Sequence, residues 1–221
     1  QNSSTPNAGQ KEDAQPPADS QGGGASGTIK IGGIGPLTGS TAQYGIATDE
    51  GAKIAIEEIN ALGGIQFELN GQDDEADGEK GVNAYNNLMD WGMQILYGCT
   101  TSGSCAAVAT ESFNDRVFQL TPSASSTTVT EGHDNVFQLC FTDPNQGKTA
   151  ADFIKDNALA TKVAVIYNNS DDYSTGIYQG FKAEAEAVGL EIVSTTTFPD
   201  DTTTDFSAQI TDAYNNGAEM I

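Results

Sequence analysis

Apolar and polar positions follow two different periods along the chain from residue 28 onward. The stretch TIKIGGI (28–34) alternates as a β-strand does. Residues 44–64 instead carry Ala52, Ile56 and Ile59 at helical spacing and stop at a pair of glycines, which is typical of a helix end. The pattern therefore begins with a strand followed by a helix.

The same alternation continues to the end of the chain. The remaining predicted strands are 65–72, 93–98, 117–124, 135–141, 162–169, 190–198 and the beginning of one at 218–221. The remaining predicted helices are 78–92, 104–115, 145–157, 173–189 and 205–217. Strands that alternate with helices indicate an α/β protein with parallel sheets. An irregular break at 123–143 divides the pattern into two lobes, which we place at 28–143 and 144–221, the second being partial.

Residues 1–27 have no apolar periodicity and consist largely of Gly, Pro, Ser, Gln, Asn and Ala. Such a segment buries too little apolar surface to offset the entropy of ordering, so we predict a disordered tether. Its two interpretations are an arbitrary tail and a spacer to a membrane anchor. The chain also begins without Met or a signal peptide, so we expect a processed or trimmed form.

Charge narrows the range of partners. Thirty-one acidic residues against nine basic ones give a formal charge of −22. Without clustered Lys and Arg, binding to nucleic acid or to anionic lipid is not expected. No apolar run is long enough to cross a bilayer, and a single His with no C-x-x-C argues against a zinc site.

Several short motifs resemble functional sites but fail at a required position. In GIGPLTGSTAQYG (33–45) the third position of a dinucleotide fingerprint is Thr38, so we expect no Rossmann cofactor. Residues 142–149 resemble a Walker A phosphate-binding loop but begin with Thr in place of Gly. The stretch that starts at Asp73 resembles a calcium-binding loop, but its twelfth position is Ala84, where a bidentate Glu is required. An exposed acidic turn is therefore the preferred interpretation of that stretch. No Ser–His constellation supports catalysis, so we predict neither an enzyme nor a cofactor.

Five segments in register are similar to periplasmic binding proteins of the leucine/isoleucine/valine type. They are 29–65, YGCTTSGSCAA (97–107), TPSASSTTVT (121–130), FTDPNQGKTAADFI (141–154) and KVAVIYNNSDDYSTGIYQGFK (162–182). The resemblance covers residues 28–221. It implies a type I periplasmic-binding-protein fold, in which two doubly wound parallel-sheet lobes are joined by a hinge and close on a ligand in the cleft. The second lobe would be truncated at the C-terminus.

The resemblance implies four residues that recognise the charges of an amino acid. Ser102 would hold the α-carboxylate at the start of a helix. The Ser123 backbone and the Ser125 hydroxyl would lie between carboxylate and ammonium, and Asp143 would face the α-ammonium. On the residues alone, serines after a strand are more commonly helix caps or loop hydroxyls, and Asp143 is also interpretable as a helix N-cap.

Two aromatic residues are implied as cleft walls, Tyr44 from the first lobe and Tyr173 from the second; packing at a helix start is the alternative for both.

The sequence departs from the branched-chain binders in the position of its cysteines. Their disulfide would join positions 76 and 101, which are Ala and Thr here, while Cys99 and Cys105 flank the loop instead. The residues leave open whether these two form a disulfide or remain buried thiols.

The function implied is that of an extracytoplasmic solute-binding protein of an ABC importer. It would capture a small amino acid, branched-chain or similar, pass it to permease subunits, and reach the membrane only through an N-terminal lipid anchor. The alternative is the ligand-binding ectodomain of a sensor or receptor with the same fold. A third possibility, an α/β enzyme, lacks a base–nucleophile pair.

Overall fold

The structure is a computed structural model that describes residues 27–199 and 203–221. The predicted tether therefore lies outside the described residues, except for Gly27 at its end. Within the described part of the chain, strands and helices alternate in the predicted order.

The strands are β1 (Thr28–Gly35), β2 (Gln66–Asp73), β3 (Ile95–Gly98), β4 (Phe118–Thr121), β5 (Val136–Gln138), β6 (Lys162–Asn168) and β7 (Glu191–Phe198). The helices are α1 (Ala42–Ala61), α2 (Gly78–Trp91), α3 (Ser102–Asp115), α4 (Asp143–Asp156), α5 (Asp172–Val188) and α6 (Ser207–Asn215). A short 3₁₀ turn, Thr127–Val129, lies between β4 and β5.

The first sheet has five parallel strands in the order β2-β1-β3-β4-β5. Because β3 lies beside β1 while β2 lies on its other side, the strand order changes direction next to β1. Helices α2 and α3 cover the sheet, and their apolar faces form the core with Tyr85, Leu88 and Val108, all fully buried. The carboxyl ends of all five strands meet at one edge, which is where open α/β sheets bind ligands.

The second sheet pairs β6 with β7 in parallel, and Met220 forms a bridge to Val163 on the other side of β6. Helices α4 and α5 cross closely here because both carry glycines at the contact. A Cβ on Gly147 would lie 2.1 Å from the carbonyl oxygen of Ile177, and one on Gly180 would lie 2.4 Å from that of Pro144. The smaller core includes Ala151, Ala185 and Leu190.

The structure differs from the sequence prediction at several element ends. β4 and β5 are shorter than predicted, because the residues that follow them turn into the loops at the sheet edge. α3 begins at Ser102, two residues earlier than the pattern indicated. α1 buries Gly45 and Asp49, whereas Ile59 is 46% exposed, so its apolar spacing does not mark its buried face.

No helix within residues 27–199 and 203–221 is both long enough and apolar enough to cross a membrane.

Candidate ligand-binding site

Three loops meet at the carboxyl edge of the first sheet, where hydrogen bonds join them. Ser102 follows β3 as the first residue of α3, and its buried Oγ accepts hydrogen bonds from the backbone N–H groups of Ser125 and Ser126, each at 3.2 Å. The backbone N–H of Asp143 in turn donates to the carbonyl oxygen of Ser125 at 3.0 Å. The structure thus brings together three residues that the sequence analysis named, from segments up to 41 positions apart.

Ser102 retains a hydrogen that it can donate, because both of these hydrogen bonds use its oxygen as the acceptor. Its position at the start of α3 adds the free N–H groups and the partial positive charge of a helix N-terminus. This combination suits a carboxylate.

Asp143 is fully buried where the loop after β4 meets the first turns of α4 and α5. Neither of its carboxylate oxygens has a hydrogen-bond partner among the described residues. Burial raises the pKa of this carboxyl, and the charges of Asp171 and Asp172 raise it further, while the neighbouring Ser125 hydroxyl acts in the opposite direction. Its Cβ lies 2.8 Å from the place where Gly176 of α5 would carry one, so the close fit depends on that glycine.

The other named residues surround this junction less closely. Ser123 is half-buried, and its carbonyl oxygen already accepts the Cys140 thiol at 3.2 Å. Tyr44 is 56% exposed in the first turn of α1, a helix joined to the loop after β3 by the Thr48 and Thr100 hydroxyls, 3.1 Å apart.

Tyr173 is 40% exposed in the first turn of α5, three residues before Gly176. Both tyrosines thus lie at helix starts with accessible rings, and neither is packed into a core. Their contact with a ligand stays a prediction.

Sequence reasoning missed the residues that hold these loops in place. Asp73 at the end of β2 accepts the N–H of Leu37 at 2.8 Å and the Thr38 hydroxyl at 2.6 Å, which fixes the loop 36–41. Thr121 at the end of β4 donates to the carbonyl oxygen of Cys99 at 2.7 Å and accepts the N–H of Ala124 at 2.9 Å. The sequence signal that could have identified both residues is their position at or near the carboxyl ends of predicted strands.

The expectation of an exposed acidic turn after β2 was wrong for Asp74. This residue is fully buried, and its carboxylate accepts the Ser104 hydroxyl at 2.6 Å and the N–H of Ala76 at 2.9 Å. Burial raises its pKa although both hydrogen bonds favour the charged form. Asp77, by contrast, is exposed and caps α2 by accepting the N–H of Lys80.

The three cysteines are free thiols, with Cys99 and Cys105 buried. The lone histidine is structural in character: a ring nitrogen of His133 lies 3.0 Å from the carbonyl oxygen of Val129, and its ring packs against Phe113. Among the described residues, no three His, Cys, Asp or Glu side chains are grouped to hold a metal ion.

The described residues thus form two α/β units, with a polar junction at the carboxyl edge of the larger parallel sheet. The chain belongs to the periplasmic binding protein family, whose family model matches residues 28–221. This confirms the resemblance inferred from the five segments.

Individual relatives agree with this assignment. The chain is 35% identical over 198 residues to a Leu/Ile/Val-binding protein homolog of Brucella melitensis, covering 87% of this chain and 53% of the relative. It resembles the solved LivJ branched-chain amino acid transporter substrate-binding protein of Streptococcus pneumoniae, in complex with isoleucine, with a TM-score of 0.78 and 34% identity, covering 85% of this chain and 54% of that one.

The leucine-binding protein LivK of Thermotoga maritima matches with a TM-score of 0.81 and 30% identity, covering 86% of this chain and 54% of that one. These likenesses confirm the type I periplasmic-binding-protein fold. The chain spans about half the length of each of these relatives.

Proposed function

We propose that this protein captures a small amino acid between two lobes as the binding component of an ABC importer. The observation that carries the proposal is the junction of Ser102, Ser125 and Asp143, in which the loops after β3 and β4 and the start of α4 are joined by hydrogen bonds. It sets a hydroxyl at a helix N-terminus close to a buried carboxylate.

This arrangement is complementary to a zwitterion. A ligand carboxylate would accept from the Ser102 hydroxyl and the N–H groups at the start of α3. A ligand ammonium would supply the positive partner that Asp143 lacks, and a charge-assisted hydrogen bond is stronger than a neutral one. Ser125 and the backbone of Ser123 would contact the ligand between these two charges.

The ligand's side chain would be a branched aliphatic one or similar. The printed names of the relatives support this choice, since they are Leu/Ile/Val-, isoleucine- and leucine-binding proteins. Tyr44 and Tyr173, with exposed rings at two helix starts, would form apolar walls that close on such a side chain through a hinge motion.

The protein would act outside the cytoplasmic membrane, as the periplasmic binding protein family implies. Delivery of the ligand would require contact with permease subunits of the importer. Residues 1–27 would serve as the tether to an N-terminal lipid anchor.

Calorimetric titration of the full-length protein with isoleucine, leucine, valine and a neutral branched amide tests the proposal. We expect an amino acid to bind, and both Ser102→Ala and Asp143→Asn to weaken it by about tenfold or more, which corresponds to about 1.4 kcal/mol per factor of ten. Thr110→Ala, an exposed change further along α3, should leave the dissociation constant unchanged.

Two results would count against the proposal. If the neutral amide binds as tightly as the amino acid, no carboxylate of the protein binds the ammonium group of the ligand. Unchanged amino acid affinity in Asp143→Asn would remove Asp143 from the site.

A further inference from the structure

Two buried thiols lie side by side at the base of the loop that presents Ser102. Cys99 follows β3, and Cys105 lies in the first turns of α3. The backbone N–H of Cys99 donates to the Cys105 sulfur at 3.2 Å, and Gln119 donates to the same sulfur at 3.4 Å. Both side chains are fully buried, and this contact brings the Cys105 sulfur against the backbone of Cys99.

We propose that Cys99 and Cys105 are a disulfide-forming pair that closes the Ser102 loop when the protein folds in an oxidising compartment. The pairing rests on their contact in the fold and does not depend on which ligand is bound. Cys140 is not the expected partner, because its thiol donates to the carbonyl oxygens of Ser123 and Ala124 on the neighbouring loop.

The bond would form by thiol–disulfide exchange with a small disulfide such as oxidised glutathione. One cysteine thiolate attacks the glutathione disulfide, whose S–S bond breaks and releases one glutathione thiolate. The second cysteine thiolate then attacks the mixed disulfide and releases the second glutathione. Overall the two protein thiols lose two hydrogens, and one glutathione disulfide is reduced to two thiols.

Because both thiols are buried in the folded protein, the thiol–disulfide exchange would take place during folding. Burial and the contact with the Cys105 sulfur raise the pKa of the Cys99 thiol well above its usual range, so the reactive thiolate is scarce once the loop has packed. We therefore expect the folded, reduced protein to resist alkylation at these two positions, while the half-buried Cys140 reacts faster.

Tryptic mapping tests the pairing, because Lys80, Arg116 and Lys148 separate the cysteines conveniently. Peptide 81–116 contains both Cys99 and Cys105, and peptide 117–148 contains Cys140. The full chain is reduced in urea, refolded with excess oxidised glutathione, quenched in acid and desalted, then unfolded in urea at mildly alkaline pH with iodoacetamide and digested. We expect peptide 81–116 to be unalkylated and lighter by two hydrogens, both in the natural protein and in Cys140→Ser.

Alkyl groups or glutathione on both cysteines of peptide 81–116, or a cross-link from it to Cys140, would overturn the proposal. The map requires no substitution of Cys99 or Cys105, so it does not depend on whether such a variant folds. No ligand is used, so its outcome is separate from that of the amino acid titrations.

A stability measurement adds a second criterion. A cross-link that spares the native geometry restricts the unfolded chain, so the oxidised form should melt roughly 5 °C higher than the reduced form. The gain should disappear on adding a phosphine reductant. A lower melting temperature for the oxidised form would mean that the bond distorts the loop, and would also overturn the proposal.

Discussion

The carboxylate of Asp143 is fully buried with no hydrogen-bond partner among the described residues, which is a costly position for a negative charge. A cost of this kind at a single residue is typical of a functional site, where a ligand supplies the missing partner. Ligand-free stability and ligand affinity should therefore change in opposite directions when this charge is removed.

We predict that Asp143→Asn stabilises the ligand-free protein at neutral pH by about 1 kcal/mol, since an amide is cheaper to bury than an unpaired carboxylate. Urea unfolding measures this. Asp156→Asn, an exposed change on the same helix, should alter the free energy of unfolding by only a few tenths of a kcal/mol. A clear loss of stability in Asp143→Asn would mean that the carboxylate has partners in the fold.

The pH dependence of the same pair of proteins follows from the raised pKa of Asp143. The folded state binds this proton more tightly than the unfolded state does. The stabilising contribution is therefore complete below the ordinary value of 3.8 and is lost as the pH rises through the folded-state pKa. Natural protein should accordingly lose stability relative to Asp143→Asn between pH 3.5 and neutrality, as measured by urea unfolding at each pH. A constant difference would contradict this.

At the scale of elements, the crossing of α4 and α5 depends on glycine for its closeness. A Cβ on Gly147 would lie 2.1 Å and 2.4 Å from backbone atoms of Ile177 and Phe181, which cannot move as a flexible side chain would. We predict that Gly147→Ala costs at least about 2 kcal/mol in urea unfolding.

A matched control lies in α1, where a Cβ on Gly51 would have nothing within 4 Å. Gly51→Ala should stabilise the protein by up to about 1 kcal/mol, because alanine is the better helix former. If the two substitutions have the same effect, the close crossing of α4 and α5 is not what glycine provides at 147.

A second element-scale prediction concerns the loop between β1 and α1. Burial opposes ionisation of Asp73, but its hydrogen bonds from Thr38, Glu75 and Leu37 outweigh this and lower its pKa. Asp73→Ala should therefore cost about 2 kcal/mol of stability at neutral pH. The loss should shrink as the pH falls through the lowered pKa, because the protonated carboxyl holds these donors less well.

Glu75→Ala is the control for Asp73→Ala. Glu75 is half exposed and forms an ion pair with Lys80, which is worth less than about 1 kcal/mol. Urea unfolding at pH 7 and pH 3 measures both variants. Equal losses in the two variants would mean that general surface charge, and not the loop contacts, explains the effect.

The strands and helices were predictable from the sequence because the hydrophobic periodicity that identifies them is a local property of the chain. The order of strands and helices follows from spacing alone, and in α2 Tyr85 and Leu88, three positions apart, share one buried face. In α1 the apolar spacing did not identify the buried face, because that face carries Gly45 and Asp49. Small and charged residues do not reveal a buried face in a hydrophobic pattern.

The candidate site was predictable only in part for a different reason. The residues named from the family pattern converge, since Ser102, Ser125 and Asp143 are joined by hydrogen bonds. The residues that hold the surrounding loops in place, Asp73 and Thr121, contact Leu37 and Cys99, which lie 36 and 22 positions away in the sequence. Such contacts depend on the pairing of strands, which a single sequence does not encode in any local pattern.

At the scale of the whole molecule, net charge is the dominant physical feature. Thirty-one acidic residues face nine basic ones, so like-charge repulsion acts across much of the surface. The C-terminal end of α1 is one place where negative side chains meet the negative end of a helix dipole. Glu58 lies in the last turn of α1, which carries no basic residue, and the exposed Glu57 precedes it. Negative charge at a helix C-terminus is destabilising.

Neutralising this end of α1 should therefore stabilise the whole protein, and salt should erase the gain. We predict that the double change Glu57→Gln and Glu58→Gln raises the free energy of unfolding by about 0.5–1 kcal/mol at low ionic strength. At about 1 M NaCl the Debye length falls to about 3 Å, so the natural protein should gain stability and the difference should nearly vanish. Urea unfolding at both salt concentrations measures this, with sucrose as an uncharged control that should leave the difference intact. A gain that persists in high salt would mean that helix propensity, and not charge, limits stability at this end of α1.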